Sequence, residues 1–367
     1  MERAMGEVLG VGVTHYPPLM SGQPETYANI LRGVMKSRLV PAHMKDPKNW
    51  PSGMQEEYEH EAERAKEHLE LHRRAFKKVR AAIDAFKPDA VIIFGDDQYE
   101  NFKEDIIPPF NVYCQDKFEA TPFFGTPNLW NVDHTKSIKW PGAGRIAREI
   151  ANELIERDFP IAYSYKQLHA PHGLTHAFAN GLVYLDFDHD NPWMYPIIPI
   201  AVNCYGKAVI SNRGGMAQLN DNRPESERDP YIDQHGPEGP TPRSCFRLGQ
   251  LIRQITDQRP ERFAIIASSG WSHAFLTGKH HWLWPDRDAD RRLFEQLKIG
   301  EQRQWANLSN AEIFDQGDQE FKNWICLAGA VADRKPEIVD YLETWIFNSQ
   351  KCFALFPSNG KATVGAH

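Results

Sequence analysis

Three short apolar runs in this chain each end on side chains able to do chemistry. LGVGVT (Leu9–Thr14) runs into His15. VIIF (Val91–Phe94) breaks at Gly95 and delivers Asp96, Asp97 and Gln98, while AIIASSG leads through Trp271 and Ser272 to His273. A fourth polar cluster, KQLHAPHGLTH, holds His169, His172 and His176, with Pro171 and Gly173 suited to a tight loop around His172. Histidine ligates metals and moves protons near neutral pH. In open α/β sheets, ligands collect outside the carboxyl ends of the strands. His15, His273 and the Asp96–Gln98 triplet are therefore expected to serve one pocket. A carboxylate to complete a metal site is less conspicuous. Glu320, in the first turn of the apolar helical stretch DQEFKNWICLAGAV, is the candidate, although the helix dipole alone favours an acid there.

The elements that must position these groups follow from periodicity. Leu9–Thr14, Ala90–Phe94, Met194–Tyr205 and Arg262–Gly270 read as core strands, and Asp105–Cys114 as a bend followed by a strand. Between Glu56 and Phe86, the residues Tyr58, Ala62, Ala65, Leu69, Phe76, Val79, Ile83 and Phe86 recur at helical steps amid charge. Helices are also expected over Gly142–Asp158, Arg247–Asp257, Asp288–Lys298, Asp318–Ala332 and Pro336–Ser349. HYPPLMSGQPETY reads as a loop, because Pro17 and Pro18 suit neither a strand nor a helix interior. Asn212–Arg243 reads as a solvated insertion, or alternatively as a lid or subunit contact. Strands alternating with helices give an α/β fold, a central mixed sheet layered with helices. The expected organisation is a single large domain over residues 1–355. It has a helical insertion at about 24–86 after the first strand, a loop insertion at about 212–243, and a C-terminal tail over 356–367.

Composition narrows the class. A net charge of −7 with no basic block argues against nucleic acid or an acidic membrane face as partner. No apolar run is long enough to span a bilayer. The opening segment MERAMGEVLGVGV lacks the apolar core and cleavage site of a signal peptide. Five scattered cysteines without CxxC spacing fit free thiols in a reducing cytoplasm, the expected location.

THYPPL, VIIFGDDQYENF with IIPPF, HAPHG, SGWSH and QEFKNW occur in the order of the signature segments of a known superfamily. The chain thereby resembles the class III extradiol ring-cleavage dioxygenases, such as the protocatechuate 4,5-dioxygenase beta chain and the 2,3-dihydroxyphenylpropionate dioxygenases. The likeness runs from Leu9 to about Leu355. It implies a 2-His-1-carboxylate set holding Fe(II), with open positions for a catecholate and O₂. By this resemblance His15 matches the first histidine ligand and Glu320 the carboxylate. His172 matches a pocket histidine that meets the substrate, and His273 the acid–base histidine. The second histidine ligand falls at Gln98, and His169 replaces a pocket aspartate. Imidazole suits Fe(II), whereas oxygen donors suit Mg, Ca or Mn. The implied cofactor is therefore Fe(II), with Mn(II), another divalent metal or none as alternatives. Asp97, Gln98, His280 or His281 would complete the set. Tyr16, Tyr99 and Trp271 are expected to wall the ring, Asp97 and His169 to face it, and Asn348 and Ser349 to lie where relatives hold a substrate carboxylate. The expected function is extradiol-type ring cleavage of a small catechol-like or phenolic compound with O₂. Alternatives are an oxygen-independent hydrolase or C–C lyase using His172 and His273, or a non-catalytic partner subunit. A homodimer or larger assembly goes with the resemblance, sometimes with a small second subunit.

Overall fold

The run VLGVGV (Val8–Val13, β1) is apolar at every position because the sheet it belongs to is covered along its whole length. The computed structural model describes residues 6–21, 23–124, 127–213 and 235–358. The other strands are β2 (Ala90–Asp96), β3 (Phe110–Tyr113), β4 (Lys117–Ala120), β5 (Ile138–Pro141), β6 (Ala162–Ser164), β7 (Ile197–Val202), β8 (Phe263–Ser268), β9 (Glu337–Leu342) and β10 (Lys351–Phe356). Eight of them form one mixed sheet in the order β6-β3-β7-β2-β8-β1-β10-β9, and β4 and β5 form a separate hairpin pair. The central four, β7, β2, β8 and β1, are mutually parallel. Fully buried parallel strands read as continuous Val/Ile/Leu-rich runs, as AVIIF and FAIIA do.

This topology places the expected chemistry. In register, Val13 pairs with Ser268 and Asp96 with Val202. The residues following β1, β2, β7 and β8 therefore leave the sheet along the same edge.

Helices cover the sheet. Glu61–Phe86 packs on β1, β9 and β10, and His176–Tyr184 on β2 and β8. Lys322–Ala330 packs on β1, β2 and β8, with Pro242–Asp257 against it. The long helix buries Ala65, His68, His72, Phe76, Val79, Ile83 and Phe86, a stripe at three- and four-residue steps. Gly12 allows one close approach of helix to sheet: a Cβ there would lie 2.0 Å from the Trp324 ring. One continuous hydrophobic core joins these layers. Among the described residues, no helix is long and apolar enough to cross a membrane.

The structure corrects four expected elements. The helix expected from Glu56 is two, Ser52–Glu59 and Glu61–Phe86, separated at His60. Pro18–Ser21 is a short helix, with Pro18 in the first position, where a missing N–H costs nothing. The stretch after Asp318 begins with a 3₁₀ turn, Gln319–Phe321, before the helix Lys322–Ala330. The expected helix Pro336–Ser349 is instead β9 followed by turns. Ile338, Val339 and Tyr341 favour a pleated strand, and β9 pairs antiparallel with β10, an edge that local periodicity did not reveal. Of the two remaining segments, residues 214–234 of the insertion and 359–367 of the tail lie outside the described residues.

Candidate active site

Four chain segments converge at the carboxyl edge of the central strands. His15 lies two residues past the end of β1 and is buried. Its Nδ1 lies 2.8 Å from the carbonyl oxygen of Ser268, so Nδ1 carries the hydrogen and Nε2 is left as a free donor pair. Burial lowers its pKa. Asp96 closes β2, is fully buried, and accepts at Oδ1 from Asn323 Nδ2 at 3.3 Å. Glu320 sits in the 3₁₀ turn Gln319–Phe321. Its Oε1 accepts from the Tyr205 hydroxyl at 2.5 Å and from Gln98 Nε2 at 2.8 Å. Its Oε2 has no hydrogen-bond partner, yet lies 3.5 Å from both His15 Nε2 and His273 Nε2. Burial, with Asp96 alongside, raises the Glu320 carboxyl to about 7. His273 is held down to about 4 by burial, so it is neutral, and its Nδ1 is also unpartnered.

His15, Asp96 and Glu320 each turn a ligating atom to one point, all within 4.8 Å of one another. Donors bound to one cation at about 2.0–2.2 Å lie within about 4.4 Å of each other, so a small rotation closes the set. The unpartnered, buried Glu320 Oε2 is an acceptor lacking a cation or proton. These residues fit a divalent metal with one imidazole and two carboxylates, a more oxygen-rich set than two histidines and an acid.

Gln98 has a different place from a ligand. It presents its amide nitrogen to Asp96 Oδ2 at 3.1 Å and to Glu320 Oε1 at 2.8 Å. Carboxylates only accept, so the NH₂ must face them and the amide oxygen turns away. Gln98 therefore braces the two acids against each other.

Several other expected residues stand elsewhere. Asp97 is buried and accepts backbone N–H groups of Glu100, Asn101 and Phe102, which shapes the loop after β2. Tyr99, at φ 61°, bonds Glu104 through its hydroxyl at 2.6 Å and stacks under Lys103. Tyr16 lies in the core, stacked on His72 with the buried Lys351 ammonium 3.8 Å above its ring. Trp271 is fully buried among Trp305, Phe321 and Trp324. It follows a strand end, but its side chain points into the core and walls no cleft. Ser349 is buried beside His273, to which its segment pairs as an isolated bridge, and Asn348 O accepts from Ala274 N. This segment fixes the His273 loop. His169 is exposed and paired with Asp105 at 3.0 Å. His172 stacks flat on Phe124, with ring centroids 3.5 Å apart. Neither belongs to the metal cluster. His280 stacks on Trp284 and faces Asp286, and His281 faces His43, so neither stands in for a ligand.

A cleft of about 680 Å³ opens beside the cluster, with Gln98, Glu100, His176 and Asn180 on its wall together with Pro17, Met20, Ile30, Pro122 and Phe124. His176 begins a helix, and its ring lies edge-on to His15 at 4.9 Å. Glu100 grips it twice, accepting from the backbone N–H at 3.1 Å and meeting Nδ1 at 2.5 Å. Burial alone would lower the His176 pKa, but Glu100 carries it to about 9. The sequence places Asp96 at the pocket and His176 in a polar cluster without assigning either a role, and it gives no sign of Glu100 or Tyr205. Asp96 and His176 were visible as polar residues in suggestive stretches, but nothing local signalled which way their side chains turn. Tyr205 carried only its position at the end of an expected strand.

The family described as the catalytic LigB subunit of aromatic ring-opening dioxygenase matches residues 12–206, more than half of the chain. A 2,3-dihydroxyphenylpropionate/2,3-dihydroxicinnamic acid 1,2-dioxygenase from Comamonas testosteroni is 27% identical over 201 residues, 54% of this chain and 48% of its own. The chain thus spans about half the length of that relative. A protein of the same description from Paraburkholderia phymatum is 25% identical over 298 residues, 74% of this chain and 86% of its own. Among solved structures, an uncharacterized Escherichia coli K12 protein aligns over 77% of this chain and 91% of its own, with a TM-score of 0.44 and 10% identity, too loose a likeness to bear weight. The family match takes in His15, Asp96, Gln98, Glu100, His176 and Tyr205: this chain belongs to the family of the catalytic LigB subunit of aromatic ring-opening dioxygenase.

Proposed function

We propose that the chain opens the ring of a catechol-like compound with O₂ at a non-haem divalent metal held by His15, Asp96 and Glu320. The observation that carries this reading is the buried, unpartnered Glu320 Oε2 aimed into a three-residue ligand cluster beside a cleft of substrate size. When bound, such an ion supplies a common seat for a catecholate and O₂. Fe(II) is the ion the family chemistry calls for, and the second carboxylate makes Mn(II) a close competitor.

The roles of the chain's own groups follow. Ser268 fixes the His15 tautomer, and Tyr205 with Gln98 fixes the Glu320 carboxylate. Neutral His273, with Nδ1 unpartnered, is suited to accept a proton and return it. His176 lies on the cleft wall with Nδ1 engaged by Glu100, which leaves Nε2 as the ring nitrogen able to meet a substrate hydroxyl. His172 acts through Phe124, whose ring it backs on the cleft wall. The test is oxygen uptake with a panel of catechols after anaerobic loading with Fe(II) or with Mn(II). One O₂ consumed per ring opened is the expected result. A ring consumed equally fast without O₂ would replace this reading with hydrolysis or C–C lysis.

A further inference from the structure

The size and lining of the cleft speak to its substrate. A cavity of about 150 Å³ is enough to hold a benzene ring. This one offers about 680 Å³, so a single catechol ring would fill only a fraction of it. The remaining wall is apolar: Pro17, Met20, Ile30, Pro122 and Phe124 line it, and the Phe124 ring is backed by His172 so that it presents a fixed flat face. The polar groups away from the metal cluster are uncharged: the amides of Gln23 and Asn29 and the Thr26 hydroxyl. The acid on the wall, Glu100, is engaged by His176, and among the described residues no lysine or arginine lines the cleft. A carboxylate on the substrate would lose its water here, and the imidazole on the wall, His176, is already engaged by Glu100, which leaves no unpaired cation among the described lining residues to receive it.

We infer that the cleft takes a catechol bearing a bulky, uncharged, apolar substituent, a second aryl ring or an alkyl chain, in preference to one bearing a carboxylate. This rests on the catechol reading above. The substituent packs on Phe124 and Ile30, and its burial supplies the binding energy that an ion pair would supply for an acidic side chain. Gln23 and Asn29 leave room for one neutral hydrogen-bonding group at its end.

Anaerobic calorimetric titration of the Mn(II)-loaded protein with 2,3-dihydroxybiphenyl and with 2,3-dihydroxyphenylpropionate tests the inference without turnover. The uncharged ring is expected to bind at least about tenfold more tightly. Ile30→Arg, at a half-buried helix position, is expected to abolish or reverse that preference by adding a cation. Equal or tighter binding of the acid by the unaltered protein overturns the inference, as does failure of both rings to bind. The same two compounds are then given to the Fe(II)-loaded protein in air. Tight binding of the biphenyl without oxygen uptake would overturn ring cleavage and leave the cleft preference standing. Ring opening with no preference between the two would do the reverse.

Discussion

Two regions of this chain are rich in histidine, and they end up doing different things. At the sheet edge, Asp96 is held in the ladder between β2 and β7, His15 lies two residues past β1, and His273 is fixed by a bridge to Ser349, so that all three come together around Glu320. In the segment from His169 to His176 the backbone crosses the surface. There His169 takes Asp105 as partner, His172 stacks on Phe124, and only His176, anchored as the first residue of a helix, reaches the cluster. The lesson is physical: an imidazole becomes part of a site when a rigid element behind it dictates its direction. Spacing in a loop does not do that.

The comparison can be broken most forcefully at its centre. Glu320→Ala removes the acceptor on which the edge residues converge. It is expected to weaken divalent-metal binding by at least about a hundredfold, read by metal titration with circular dichroism as a check on folding. Gln98→Ala leaves all three ligands but releases both carboxylates from their shared amide. Loss of such an orienting bond typically costs about 10–100-fold in metal affinity. An unchanged affinity would mean that Gln98 is a bystander at the sheet edge.

Away from both regions, Asp286 holds a third imidazole, His280, and caps the helix Arg287–Ile299 through Ala289 N–H. Burial alone would raise its pKa, but bonds from His280, Lys279 and Ala289 hold it at about 2. A depressed carboxyl stabilises the fold above its unfolded pKa and loses that contribution as pH falls through the folded one. Asp286→Asn, which preserves capping ability, should therefore cost about 2 kcal/mol at neutral pH. The gap in Tm between the two proteins should close between pH 4 and pH 2, the window set by the ordinary and folded values. A gap that persists at pH 2 would assign the stabilisation to something other than the carboxylate charge. The smallest effect is expected in the surface loop. His169→Ala breaks an exposed pair, so stability should move by no more than about 0.5 kcal/mol, with metal affinity unchanged.

How far the sequence could be read divides along the same line. The core strands and the Glu61–Phe86 helix were legible because burial writes itself into continuous or periodic apolar runs. His15, Glu320 and the unusual Gln98 were legible through their motifs, although what Gln98 does was not: an amide can offer oxygen or nitrogen, and only the two facing acids decide. Asp96 was overlooked as a ligand because one residue along a strand reverses the direction of a side chain, and the exact end of β2 decides which acid faces in. Trp271 failed for the matching reason, turning into the core from a strand end that carries His273 toward the site. The β9–β10 pair was missed because β9 gains its stability from a partner that local periodicity cannot register.

The central claim is that Asp96 completes the metal seat that Gln98 cannot. The most direct measurement is a titration of the metal-free protein with Mn(II), followed by electron paramagnetic resonance of the free ion, comparing the unaltered chain with Asp96→Ala. The account predicts about one tightly held ion per chain, lost when Asp96 is removed. Equal binding by the two proteins would contradict it and show that Asp96 is not a ligand.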